Sequence, residues 1–215
     1  MVKIINPVEA AALVNDGDSV MVGGFMDCGS PDLVLDALLA KGIKNLTVIS
    51  NDHARTGFGL SKLVAAKSVS KAMVTHIGLN PESGKQMAAK ELDIELIPQG
   101  TLAERIRCGG FGLGGVLTPT GVGTTVAEGK QVLRVNGRDY LLELPLRAKV
   151  ALIKAHKADK QGNLVFRRAA RNFNPLMAAA ADLVIAEVEE IVEIGQLDPD
   201  VIHTPGIFIH YLVKA

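Results

Sequence analysis

The chain has no tryptophan, only two cysteines and no net charge, and these shortages narrow what it can be. Without tryptophan, and at 48% hydrophobic and 21% charged residues, it has the composition of an ordinary soluble globular protein. Twenty-three lysines and arginines balance 23 aspartates and glutamates. That removes the bulk electrostatic case for a nucleic-acid or anionic-membrane partner. Cys28 and Cys108 are far apart and in no metal-type spacing, so reduced thiols are expected. No apolar run reaches the ~18 residues of a membrane helix. Met1–Pro7 lacks the apolar core of a signal peptide, and a cytoplasmic location is expected. The five histidines (His53, His76, His156, His203, His210) show neither metal-ligand spacing nor a nucleophile motif nearby, so no metal is expected.

What is present is alternation. The 215 residues suffice for one domain with a sizeable core. Short apolar segments at Ser19–Val22, Leu46–Ser50, Ala72–Ile77, Leu92–Ile97, Val150–Lys154 and Leu183–Val188 read as strands. Helical patterns fall between several of them: Pro7–Val14 behind an Asn6 cap, Leu33–Ala40 stopped by Lys41-Gly42, Ser61–Val69, Lys85–Lys90 and Asn174–Ala181. The expected fold is therefore α/β, an open and mainly parallel sheet with helices on both faces. Gln131–Leu144 around Asn136-Gly137 is a hairpin signal. With the glycine-rich stretch before it, it predicts an antiparallel flap at about residues 108–145 of a single 1–215 domain.

The segment from Asp16 to Pro31 is the most informative. A buried strand runs into Gly23-Gly24, Phe25 follows as an apolar wall, and Gly29-Ser30-Pro31 starts a helix with Ser30 as N-cap. Strand, glycine turn and helix start is how open α/β sheets build sites for anionic ligands. The candidate binding residues here are Gly23, Gly24, Phe25, Met26, Asp27, Cys28 and Gly29. Asn51 and Asp52 follow a second strand, and polar residues there project into the crevice at the sheet's carboxyl edge. Gln99, with Gly100, is read at a third strand end, where a neutral amide can donate to a thioester or carboxylate oxygen. Glu104, Arg105 and Arg107 read as a solvated helix face, and Glu187 to Glu190 as a strand end with a solvated acidic turn. Asn174 reads as a helix cap, and Arg167, Arg168 and Arg171 as free to meet phosphates, a partner's carboxylates or solvent. Gly110, Gly112 and Gly115 spell a Gly-x-Gly-x-x-Gly that follows a helical pattern and precedes Pro119, the wrong setting for a dinucleotide fingerprint.

These segments, together with Asn163 to Pro175 and Leu197 to Gly206, resemble the alpha subunit of family I (3-oxoacid) CoA-transferases almost end to end. The resemblance implies a CoA-transferase-like fold and exchange of CoA between short-chain acyl-CoA (acetoacetyl-, butyryl- or acetyl-CoA) and free carboxylic acids. It implies a ping-pong route through a glutamyl-CoA thioester, with Gln99 beside the reacting thioester. Coenzyme A is then a substrate, with no permanently bound cofactor. In that family the nucleophilic glutamate lies in a Ser-Glu-Asn-Gly motif of the other subunit, and none of the eleven glutamates here precedes Asn-Gly. The resemblance thus implies a beta subunit as partner, in an alpha2beta2 assembly, and no catalytic nucleophile in this chain. Succinyl-CoA:3-oxoacid and 3-oxoadipate CoA-transferases share the motifs and stay open as alternatives. So do an NAD-binding oxidoreductase and a non-catalytic assembly subunit.

Overall fold

Neighbouring residues of the central strands bury on opposite faces of one sheet, which divides the interior into two cores. Val20, Val22, Val48, Val150 and Leu152 pack in one cluster, and Met21, Ile49, Ala151 and Ile153 in the other. This is the period-2 alternation of extended chain, and with both faces covered the strands need no polar side. The computed structural model describes residues 1–215. In order the elements are β1 (Lys3–Ile5), α1 (Pro7–Ala12), β2 (Ser19–Val22), α2 (Asp32–Lys41), β3 (Leu46–Ser50), α3 (Ser61–Ala65), β4 (Val69–Val74), α4 (Pro81–Ala88) and β5 (Asp93–Leu96). They continue with α5 (Gln99–Gly110), β6 (Val116–Thr118), β7 (Val132–Val135), β8 (Arg138–Glu143), β9 (Ala148–Asp159), β10 (Leu164–Val165), α6 (Asn174–Ala179), β11 (Ala181–Val192) and β12 (Tyr211–Lys214).

The main sheet runs β1-β12-β11-β9-β2-β3-β4-β5 with every neighbour parallel, and β10 adds antiparallel to β9. Helices α1, α2 and α3 contribute to the first core, α5 and α6 to the second. The α/β reading with both faces covered holds. From β2 the chain winds outward through β3, β4 and β5, while β9, β11 and β12 lie on its other side. The β2/β9 boundary is therefore a switch point, and the crevice outside its carboxyl ends is where such sheets take ligands. No helix is long and apolar enough to cross a membrane.

Local signals explain most boundaries. Asn6 and Glu9 form a reciprocal capping box at α1, each side chain 2.9 Å from the other's backbone nitrogen. Gly42 ends α2 in the left-handed region at φ +75°. Helix α4 starts earlier than its predicted Lys85, because Asn80 accepts from the Glu82 and Ser83 amides ahead of Pro81. Strands β9 and β11 are each 12 residues long, well beyond the predicted segments. Their overhang is tied by cross-strand pairs Lys154–Glu187, His156–Glu189 and Lys157–Glu190.

The predicted antiparallel flap is a three-stranded sheet ordered β6-β8-β7, with the hairpin turning at Asn136 (φ +48°) and Gly137 (φ +79°). The glycine-rich stretch does not belong wholly to it, since residues through Gly110 lie in α5. Arg105 is not on a solvated face. It donates to Leu144 O at 2.8 Å, pairs with Glu95 at 3.2 Å and lies 3.7 Å from the buried Glu143, which Lys130 also meets at 2.6 Å. A burial this deep for a carboxylate requires such cations.

Candidate active site

Three strand exits meet at the carboxyl edge of the sheet. From β3, the Asn51 and Asp52 side chains turn inward; Asn51 is 1% exposed. Asn51 Nδ2 donates to Asp52 Oδ2 at 2.6 Å, and Gln99 Nε2 donates to Asn51 Oδ1 at 2.8 Å. Asp52 Oδ2 also accepts from the Met26 amide at 2.8 Å and Oδ1 from the Ala54 amide at 2.6 Å. A hydrogen-bonded row thus joins Gln99 to Asn51, Asp52 and the glycine turn. Gln99 itself is exposed and sits at the first position of α5, three residues past β5, rather than at a strand end. Its Oε1 has no partner within the chain.

The turn after β2 is held in a costly shape. Phe25 and Cys28 exchange backbone hydrogen bonds at 3.1 and 3.0 Å, which forces Met26 to φ +53°. A non-glycine residue there costs roughly 1–3 kcal/mol, offset here by Asp52 on the Met26 amide. Asp27 pairs with Arg55, whose guanidinium lies 5.1 Å over the Phe58 ring. Of the three amides Gly23, Gly24 and Phe25, the first donates to Leu152 O at 2.9 Å and the third to Cys28 O. The Gly24 amide alone has no acceptor within the chain. Gly24 also needs its φ of +121°.

Gly23 serves a different purpose from the one its sequence setting predicts. A Cβ there would lie 1.8 Å from Asn174 Oδ1, so the space beside its backbone is filled by this chain and not open to a ligand. Asn174, in turn, is not a cap: it is the first residue of α6, fully buried, with no side-chain bond to the helix end. Its Nδ2 donates to Gly29 O at 3.1 Å and Ala170 O at 2.9 Å, and its Oδ1 accepts from the Lys154 amide at 3.0 Å. Asn172 Nδ2 holds Cys28 O at 2.9 Å in the same way. Two amides from the late chain therefore clamp the exit of the turn, a pairing with no local sequence signal.

The helix start behind the turn is also corrected. Ser30 does not cap α2; Pro31 occupies the cap position without a side-chain bond, and Ser30 Oγ donates to Asp32 at 2.9 Å. The orphan amides of Leu33 and Val34 are met at 2.9 and 3.2 Å by Glu187 Oε2, reaching across from β11. Glu187 is 1% exposed and its other oxygen pairs with Lys154 at 2.8 Å, so it is no part of a solvated acidic turn. The anion place that the strand–glycine–helix pattern offers is taken by the chain's own carboxylate.

Among the sequence-predicted residues, Phe25, Met26, Cys28, Gln99 and Gly100 face solvent, Asp27 and Gly29 are half-buried, and Gly23, Gly24, Asn51 and Asp52 are inside. His53 is buried beside Asp52, with Nδ1 2.7 Å from Ser83 Oγ and Nε2 without a partner. Burial pushes its pKa down to about 4 against the pull of Asp52, with His76 adding to the depression. It is therefore a neutral ring at physiological pH. Beside the turn, a cleft of about 370 Å³ opens between Cys28 to Ser30, the overhang of β9 at Lys154 and His156, and Arg167 and Arg168.

Within this arrangement the Gly24 amide has no acceptor in the chain, and the exposed Gln99 carboxamide keeps bonding capacity beyond its one bond to Asn51. The family model described as Coenzyme A transferase matches residues 4–215. The alpha subunit of the acetate CoA-transferase of Escherichia coli (strain K12) is 51% identical over 213 residues, 99% of this chain and 97% of that protein. The corresponding subunit of a probable succinyl-CoA:3-ketoacid coenzyme A transferase of Bacillus subtilis (strain 168) is 50% identical, over 95% of this chain and 86% of that protein. Among solved structures, an acyl-CoA transferase from E. coli O157:H7, in a thioester complex with CoA, superposes with a TM-score of 0.91 at 20% identity. It is matched over all of this chain but 47% of its own, so this chain spans about half its length and the likeness is one of fold.

Proposed function

The chain belongs to the coenzyme A transferase family, and we propose that it is the half of such an enzyme that shapes the thioester site without supplying the nucleophile. The observation that carries this is the row Gln99–Asn51–Asp52–Met26 beside the Gly24 N–H, which has no acceptor within the chain. A glutamate carboxylate from the beta subunit's side of the site attacks the acyl-CoA carbonyl, and CoA leaves as thiolate. The thiolate then attacks the resulting anhydride at its glutamyl carbonyl, releasing the acid and leaving glutamyl-CoA; an incoming carboxylate reverses both steps. Each attack drives charge onto a carbonyl oxygen, and the Gly24 amide and Gln99 are the donors this chain offers it. Asn51 and Asp52 act one step behind. Buried and already bonded, they fix the Gln99 amide and the turn rather than touching pantetheine.

The substrates are a short-chain acyl-CoA and a free acid of the acetate, butyrate or acetoacetate type. Identities of 51% and 50% to relatives named for acetate and for succinyl-CoA:3-ketoacid leave succinyl-CoA as the second donor to assay. CoA is consumed and returned as substrate, the working unit pairs two copies of each subunit, and its place is the cytoplasm. Transfer from acetoacetyl-CoA to acetate is expected only when the chain is mixed with its beta subunit. In that mixture Gln99→Ala loses about 10²–10³-fold in kcat, the usual size of one lost oxyanion donor. Turnover by the chain alone, or a Gln99→Ala loss below about threefold in an intact assembly, overturns the assignment.

A further inference from the structure

Arginine charge that finds no partner in this chain is gathered in one segment. Of nine arginines, Arg55, Arg105, Arg107, Arg134 and Arg147 are in ion pairs and Arg138 lies 5.6 Å over the Tyr140 ring. The remaining three, Arg167, Arg168 and Arg171, are exposed, have no carboxylate within ion-pair distance and make no side-chain hydrogen bond. They sit on the one segment that Asn172 and Asn174 sew to the ligand turn, through Ala169 O at 2.7 Å and Ala170 O at 2.9 Å as well as Cys28 O and Gly29 O. Arg168 is held at φ +51°, a strained backbone for a residue with a long side chain.

Arg167 and Arg168 also line the cleft of about 370 Å³ that opens against Cys28 and Gly29. Two of the other charges of that cleft are spent, Lys154 on Glu187 and Asp27 on Arg55, and the His156 ring lies 2.7 Å from Glu189. Asp32 is engaged only by Ser30 Oγ. The guanidiniums are thus the unspent positive charge of a wall that also carries the carboxylates of Asp32 and Glu189. The nearby helix start cannot take an anion, because Glu187 already does.

We propose that Arg167, Arg168 and Arg171 form a binding site for the phosphate groups of the CoA substrate, on the reading of the turn given above. Three planar forks exceed what one small carboxylate can use, whereas a diphosphate and a sugar phosphate offer an oxygen pair to each. The site holds the nucleotide end of the thioester while its reacting end lies at the turn.

The test is a calorimetric titration of the assembled enzyme with CoA and, separately, with pantetheine, which lacks every phosphate. In Arg167→Gln/Arg168→Gln, and more weakly in Arg171→Gln, the Kd for CoA rises about 10- to 100-fold, the scale of one or two charge-assisted hydrogen bonds. The Kd for pantetheine stays as in the wild type, and the salt dependence of CoA binding shrinks. Arg138→Gln, on the flap, changes neither. A CoA Kd within threefold of wild type overturns the site, as does equal weakening of pantetheine. Loss of assembly also overturns it, since the arginines then serve the partner subunit. Wild-type turnover decides the reading of the turn separately, so a silent assay and an unchanged titration are different failures.

Discussion

At the scale of single residues, the site depends on exact fit more than on reactive groups. Gly23→Ala places a methyl within 1.8 Å of Asn174 Oδ1 and is expected to cost about 1–3 kcal/mol in urea unfolding. In an Asn174→Ala background the same substitution costs less, and the double-mutant cycle reads the coupling directly. Strict additivity would mean that the two residues do not compete for the space. His53 carries a pH dependence. Unfolded it titrates near 6.5, folded at about 4. Below pH ~6.5 the unfolded chain takes up a proton that the folded chain refuses, so stability falls as pH drops toward ~4 and levels off below it. The loss is of order 3 kcal/mol and should shrink in His53→Gln when unfolding midpoints are compared at pH 7 and 4.5.

Among the elements, the instructive pair is α2 and β11, joined by Glu187. Removing one member of a buried ion pair strands the other charge. Glu187→Gln is therefore expected to cost about 3–5 kcal/mol by leaving Lys154 unpaired, and Lys154→Met in the same chain to restore part of it. No recovery in the double variant would show that the cap on Leu33 and Val34, not the ion pair, carries the cost. Elements like these mark where sequence reading stops. Strands β2 and β3, the Gly42 stop, the Asn136-Gly137 hairpin and the Asn6 cap were legible because each is written in adjacent residues. Asn51 and Gln99 were legible as polar residues close after strands. Glu187, Asn174 and Arg105 were not, since their partners lie far along the chain; Asn174 and Gly29 are 145 residues apart. Periodicity and capping rules see only a few residues either way, so a carboxylate inside a strand reads as solvated until its helix is in view.

Over the whole molecule, the flap and the main sheet are separate hydrogen-bonded units joined by the Arg105 latch. Arg105→Ala leaves Glu143 buried with Lys130 as its one close cation. Hydrogen exchange at β6 and β8 amides is then expected to quicken while β2 and β3 keep their protection. Uniform loss of protection would mean the flap is not an independent unit. The clamp of Asn172 and Asn174 spans the molecule in another way, because it lets the late chain shape a turn built by the early chain. That has a consequence for heredity. Position 23 is not free to drift while 174 stays asparagine, and a small residue at 174 removes what confines 23. Lineages that keep this turn should inherit the two positions as a unit, and a library randomised at both should return functional sequences as matched pairs rather than as independent choices.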